Sequence, residues 1–286
     1  MYEKHSYDPN QAVHNRISSD PQQTGTFKSR LGRVALFLGI TGFLVLLPHT
    51  GLRAQGSSAS CPANFEVESI SLTDWETGLG AWTVDTYGVV QPEAFDTPDW
   101  AAVGFLPDGR AGTAAFVETV NMGNCTSDDE TGVLTLTSPI ITIPAEANGP
   151  LIALNHWFDI EHGWDGGNLK ISTNGGPFTL VPGSAFEAGP YTDVLFEAVR
   201  DFLPYNSNPL AEQEAFTGSG LQLDGANWAP SRINLAGIAG PGDSVQLRVD
   251  FGVDGCDGVI GWEVDDIEIY SCVESGIATT AKLTLI

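Results

Sequence analysis

Residues Ala153 to Gly176, ALNHWFDIEHGWDGGNLKISTNGG, constrain the fold more than any other stretch of the chain. An apolar, alternating segment runs into a turn made of Glu161, His162, Gly163, Trp164, Asp165, Gly166 and Gly167. The chain leaves as a second alternating segment, Leu169, Ile171 and Thr173, and turns again at Asn174, Gly175 and Gly176. Period-2 alternation sends successive side chains to opposite faces of a strand, and glycine turns reverse the chain. The stretch reads as two strands of a β-sheet. The acids of the connecting turn are candidate oxygen ligands for a hard cation at a sheet rim.

The same pattern continues on both sides. Strand candidates are Phe65–Ile70, Trp82–Val84, Ala114–Thr119, Gly132–Thr137, Ile140–Ile143, Leu151–Ile160, Leu169–Ser172, Phe178–Val181, Trp228–Leu235, Ser244–Phe251, Gly258–Glu263 and Ile267–Cys272. Only Asp193–Phe202 carries a weakly helical pattern, and no βαβ rhythm is visible. Short strands without intervening helices mean an all-β sandwich or barrel. The 33 glycines and 17 prolines suit its many turns. Residues 183–225, polar and punctuated by Gly and Pro, read as an extended loop system over one end of it.

Charge narrows the partners. The chain has 12 Lys/Arg against 36 Asp/Glu, and residues 1–54 hold six of the bases but three of the acids. The remainder therefore carries six bases, 33 acids and a net charge of −27. Such a surface repels nucleic acid and anionic membranes and tolerates Ca²⁺.

The first 54 residues read as a leader. Lys28, Arg30 and Arg33 precede the uncharged run Val34–Leu47, and a small, polar stretch follows Pro48. A bilayer span needs about 20 apolar residues and a signal-peptide core about 7–15, which favours a cleaved signal over an anchor. Cleavage is expected after Ala54 or Ala59, with the protein secreted or held at the cell surface and not stably inserted in a membrane. All four cysteines, Cys61, Cys125, Cys256 and Cys272, lie in the exported part. Four cysteines allow three connectivities. We favour Cys61–Cys272, because they bracket the domain and sandwiches bring their ends together, which leaves Cys125–Cys256. The domain then spans 61–272, and 273–286 is a C-terminal tail.

The last strand breaks its own period. In Gly261-Trp262-Glu263-Val264-Asp265-Asp266-Ile267-Glu268-Ile269-Tyr270 the apolar phase is Trp262 and Val264, then Ile267 and Ile269. The change falls at Asp265-Asp266, as a bulge or strand end requires. Two adjacent carboxylates repel unless a cation or water separates them. Further acids that could complete an oxygen cage are Asp74, Glu76, Glu161 and Asp165, with Asp254 and Asp257 beside Cys256 as weaker candidates.

These pieces together resemble the jelly-roll, MAM-like domains of cell-surface proteins and of immune inhibitor A type secreted metallopeptidases. The resemblance runs from Asp74-Trp75-Glu76-Thr77-Gly78-Leu79-Gly80-Ala81-Trp82-Thr83 through Leu136-Thr137-Ser138-Pro139-Ile140. It continues with His156, Glu161, Trp164-Asp165-Gly166-Gly167, Asn174-Gly175-Gly176 and Ala215-Phe216-Thr217-Gly218. Val249-Asp250-Phe251-Gly252 and Gly261 to Ile267 close it. It implies a two-sheet antiparallel jelly-roll sandwich that is non-catalytic, often with a structural Ca²⁺. By motif position the implied ligands are Asp165 and Asp266, then Glu76, Asp74 and Asp265. For His156 an interior hydrogen bond is expected rather than ligation.

Catalytic signals are sparse. The chain contains no HExxH and no GxSxG, and three of its five histidines lie in the leader. Glu263 to Glu268 satisfies the ExDxxE pattern of laminarinase-type glycoside hydrolases, in which two glutamates on one strand face act as nucleophile and acid/base. Its place at the end of the domain and its Trp-x-x-Asp-Asp-Ile context fit the non-catalytic family better. The expected role is recognition of an extracellular protein or glycan, with Trp100, Trp164, Trp228 and Tyr205 as candidate platforms for a sugar face.

Overall fold

The computed structural model describes residues 56–119, 123–124, 127–200, 203–220 and 227–276; the leader, Cys125 and most of the tail lie outside them. In chain order the strands are β1 (Phe65–Thr73), β2 (Thr83–Tyr87), β3 (Ala101–Val103), β4 (Ala114–Glu118), β5 (Gly132–Thr137), β6 (Ile141–Thr142), β7 (Leu151–Asp159), β8 (Gly166–Thr173) and β9 (Thr179–Leu180). After them come β10 (Phe186–Ala188), β11 (Asp193–Val194), β12 (Val199–Arg200), β13 (Leu203–Pro204), β14 (Glu214–Ala215), β15 (Ala229–Asn234), β16 (Ser244–Val253) and β17 (Gly261–Glu274).

Two antiparallel sheets face each other. One runs β10-β15-β7-β17-β4-β3, with β1 also paired to β17; the other runs β2-β5-β16-β8-β9, with β6 paired to β16. The expected two-sheet sandwich is the observed architecture. Two two-residue ladders, β11 with β14 and β12 with β13, build the loop system at one end.

Alternation decides what enters the core. Along β7, Ile152, Leu154 and Phe158 join the apolar cluster between the sheets, and β8 adds Leu169 and Ile171. His156 shares their phase and is buried. Its Nε2 meets the Ser231 hydroxyl at 3.0 Å, and its Nδ1 accepts from the Trp262 indole N–H at 3.3 Å. Burial lowers its pKa to about 3, so the ring is a neutral interior hydrogen-bonding group, as expected.

The glycine pair of the opening motif has a packing reason. A Cβ on Gly167 would sit 2.2 Å from the Trp262 ring, and one on Gly166 would meet Leu195, Ala215 and the Phe216 carbonyl at 2.9–3.0 Å. No side chain fits either place without displacing the core. These glycines let the indole and the loop system lie directly against the sheet.

Two expected strands, Gly258–Glu263 and Ile267–Cys272, prove to be one long strand, β17, with a bulge between them. Its pairing with β7 shifts register between Asp265 and Glu268, and Asp266 takes a φ of 50°. On its other edge β4 pairs with residues 261–264 and β1 with 267–274. The bulge thus falls where one neighbour gives way to the next. The strand runs past Cys272, so the expected boundary of the tail lies inside β17.

Cys61 and Cys272 form the favoured disulfide, with Cα atoms 5.7 Å apart, tying the first described segment to the last strand. The Cys125 half of the second pairing lies outside the described residues, and Cys256 is disulfide-bonded.

The weak helical pattern at Asp193–Phe202 does not hold. Its described part forms β11 and β12, since Val194 pairs with Glu214 and Arg200 with Leu203. Asp193 also caps the backbone N–H of Val194 at 2.8 Å, a local bond that competes with helix. Among the described residues no helix is long and apolar enough to cross a membrane.

Candidate functional site

The expected calcium ligands fall into two separate neighbourhoods. At the β17 bulge, Arg110 enters from the turn after Pro107–Gly109. It donates to Asp265 Oδ2 through Nε at 2.9 Å and Nη2 at 2.7 Å, and to Asp266 Oδ2 through Nη2 at 2.5 Å. Asn155 Nδ2 adds a bond to the same oxygen of Asp266 at 3.0 Å. The Arg110 guanidinium lies 4.4 Å from the Trp228 ring, and Trp228 Nε1 donates to the Pro107 carbonyl. All three charged side chains are 3–4 % exposed. Burial, then the charge of Asp266, pushes Asp265 up to about 6, and Arg110 opposes the rise. Burial raises Asp266 too. The counter-charge that the acid pair needs is supplied here by a guanidinium from the same chain.

Asp74 and Glu76 lie nearby on the surface. Asp74 raises the pKa of Asp266 electrostatically and accepts from the Glu76 N–H at 3.2 Å, while Glu76 accepts from the Thr113 N–H at 3.1 Å.

Asp165 belongs to the other neighbourhood. It is 1 % exposed, and its Oδ1 accepts from the Asp254 N–H at 2.8 Å, so it links the start of β8 to the end of β16. Burial and then the charge of Asp254 hold its carboxyl well above the usual range, with Glu161 and Asp257 adding to the rise. Among the described residues no three His, Cys, Asp or Glu side chains are gathered as a metal cage.

The aromatic candidates divide as well. Trp100 is buried against Trp262, with centroids 5.8 Å apart, and Trp228 covers Arg110. Trp164 and Tyr205 come together, with centroids 4.9 Å apart. Phe196 completes a trio at 5.3 Å from Trp164 and 5.9 Å from Tyr205. All three rings are half-buried.

Phe196 and Tyr205 line an open pocket of about 360 Å³ with Val194, Leu195, Glu197 and Arg200. Two buried asparagines hold this loop system in place. Asn206 Nδ2 donates to the carbonyls of Gly163, Trp164 and Phe196 at 3.2–3.5 Å, and Asn208 Nδ2 to that of Trp164 at 2.8 Å. Thr217 ties the turn beneath through the Asp165 and Glu161 carbonyls. Fully bonded interior amides fix the backbone that carries the rings of Trp164 and Phe196. Phe196 and Arg200 escaped sequence reasoning because they lie in the segment read as weakly helical. The aromatic residues on both sides of it, Trp164 and Tyr205, were the available signal.

The ExDxxE glutamates are placed differently. Trp262, Val264, Ile267 and Ile269 face the core, so the bulge leaves Glu263 and Glu268 on the same outer face. Each is only 5 % exposed. Glu263 is pushed up to about 8 by burial and then by Asp265, and its Oε2 is buried without a hydrogen-bond partner. Segment 56–60 is laid over this sheet, with Ser60 accepting from the Tyr270 hydroxyl at 3.2 Å and from Arg232. The pair has the phase of a glycosidase motif but is nearly closed to solvent.

No family model matches the sequence, and no curated protein matches it. Solved structures give distant likenesses. The K1 cleaved adhesin domain of Lys-gingipain from Porphyromonas gingivalis W83 is 13 % identical, with a TM-score of 0.36 over 70 % of this chain and 96 % of that one. The mannan-recognising carbohydrate-binding module TmCBM27 is 11 % identical, with a TM-score of 0.34 over 73 % and 99 %. CBM28, specific for non-crystalline cellulose, is 13 % identical, with a TM-score of 0.35 over 66 % and 87 %. At such values function does not transfer from one chain to another.

Proposed function

We propose that this protein is an exported, non-catalytic recognition module that binds a glycan through the pocket of Phe196 and Tyr205. The observation that carries this reading is the ring trio Trp164, Phe196 and Tyr205, half-exposed yet held by the fully bonded asparagines Asn206 and Asn208. A rigid apolar face with polar groups beside it, here Glu197 and Arg200, matches a sugar ring, which has an apolar face and hydroxyls at its edge. The Cys61–Cys272 disulfide supports export.

Calcium enters the proposal at one place, the turn around Asp165, where a buried carboxylate lies within the field of Asp254, Glu161 and Asp257. A bound cation would relieve that repulsion. A glycan array probed with the full chain tests the main reading: a defined class of bound glycans is expected, and a blank array would sink it.

The glycosidase alternative rests on Glu263 and Glu268. The hydrogen-bonded cover over their sheet face and their 5 % exposure speak against access by a polysaccharide.

A further inference from the structure

The described part of this chain holds five basic side chains, and four of them are engaged. Arg110 is paired with Asp265 and Asp266. Lys170 and Arg248 share the buried Asp250 at 3.0 and 2.6 Å. Arg232 donates to Ser60 Oγ. The fifth, Arg200, is exposed and makes no ion pair among the described residues; its guanidinium lies 5.3 Å from the Tyr205 ring, in the lining of the aromatic pocket.

The setting makes this placement informative. Beyond the leader the acids outnumber the bases 33 to six, so an exposed arginine has many carboxylates to pair with. Arg200 instead sits over an aromatic ring at the pocket, its guanidinium carbon 5.3 Å from the Tyr205 centroid. A guanidinium over a ring face can still direct its N–H fork at a planar anion. Glu197, in the same lining, offers acceptor oxygens to hydroxyl groups.

We propose that the glycan recognised here carries a carboxylate, as a uronic acid does, and that Arg200 is the residue that selects it. The inference rests on the glycan-binding reading and gives it a ligand class. The pyranose ring lies on Phe196 and Tyr205, its carboxylate takes the Arg200 fork, and its hydroxyls donate to Glu197. Because the surrounding protein is strongly acidic, the selectivity comes from contact within a Debye length of about 10 Å at 0.1 M salt, not from long-range attraction.

The test is a binding titration of the full chain against galacturonate, glucuronate and mannuronate oligosaccharides, each paired with its methyl ester. The ester keeps the shape and removes the charge. At least one acid form is expected to bind tenfold or more tightly than its ester. Arg200→Gln should abolish that preference without changing Tm, while Arg200→Lys should keep only part of it. Equal affinity for acid and ester would overturn the inference and leave neutral-glycan recognition standing. Failure of every acid form to bind would also overturn it, and a blank glycan array alongside would remove the glycan reading as well.

Discussion

Arg110 closes a two-point hydrogen bond on a single oxygen of Asp265, through Nε at 2.9 Å and Nη2 at 2.7 Å. The same nitrogen, Nη2, reaches Asp266. Adjacent carboxylates at a strand bulge need a positive partner, and this chain supplies one from a loop some 155 residues earlier. Removing a partner from a buried ion network strands the remaining charges. Arg110→Gln is expected to destabilise the domain by about 3–5 kcal/mol, read as a lower urea midpoint. A change within error would show that the acids find another counter-charge.

The outer face of β17 makes stability depend on pH. The Glu263 pKa is raised from 4.5 to about 8 and that of Asp265 from 3.8 to about 6. Groups raised on folding stabilise fully below their unfolded values, and the contribution is lost as pH rises through the folded ones. Stability from this pair should therefore fall between pH 4 and 8. Glu263→Gln is expected to flatten the limb between pH 6 and 8, as followed by urea unfolding at stepped pH. An unaltered profile would mean that Glu263 is ionised in the native protein.

Gly167 faces the indole of Trp262 with no room for a methyl group. Gly167→Ala is expected to cost about 1–3 kcal/mol through displaced core packing, with a changed near-UV signal from the tryptophans. Gly175→Ala is a useful contrast, because that glycine has open space around its Cβ position and its φ of 72° isolates the backbone penalty.

Calcium binding, if it follows the Asp165 proposal, stabilises the native state by about 2.7 kcal/mol at a hundredfold excess over Kd. A rise in Tm with millimolar Ca²⁺ is expected, lost in Asp165→Asn and kept in Asp266→Asn. No rise in the wild-type protein would take calcium out of the account.

How much of this was legible beforehand follows from the range of the interactions. Strand phase is a local property, so β5, β7, β8 and β16 could be read from alternation alone, and the Asp265-Asp266 phase break gave away the bulge. Jelly-roll closure also made Cys61–Cys272 a reasonable pair. The partner of the acid pair was hidden, because no local pattern links Arg110 to Asp265. Asp165 and Asp266, both implied as ligands by the resemblance, serve different contacts, one with Asp254 and the other with Arg110. Asp193–Phe202 misled because β11 and β12 are two-residue strands, too short to show a period and defined by their partners across the loop. Phe196 and Arg200 were missed with it.

The most direct test of the central claim compares glycan binding by the wild-type chain and by Phe196→Ala and Tyr205→Ala, using isothermal titration with the best glycan of the array. Both rings are half-exposed at the pocket, so each variant is expected to stay folded and to lose tenfold or more in affinity, about 1.4 kcal/mol or more. Retention of wild-type affinity in both, with an unchanged Tm, would contradict the account and place glycan recognition elsewhere on the sandwich.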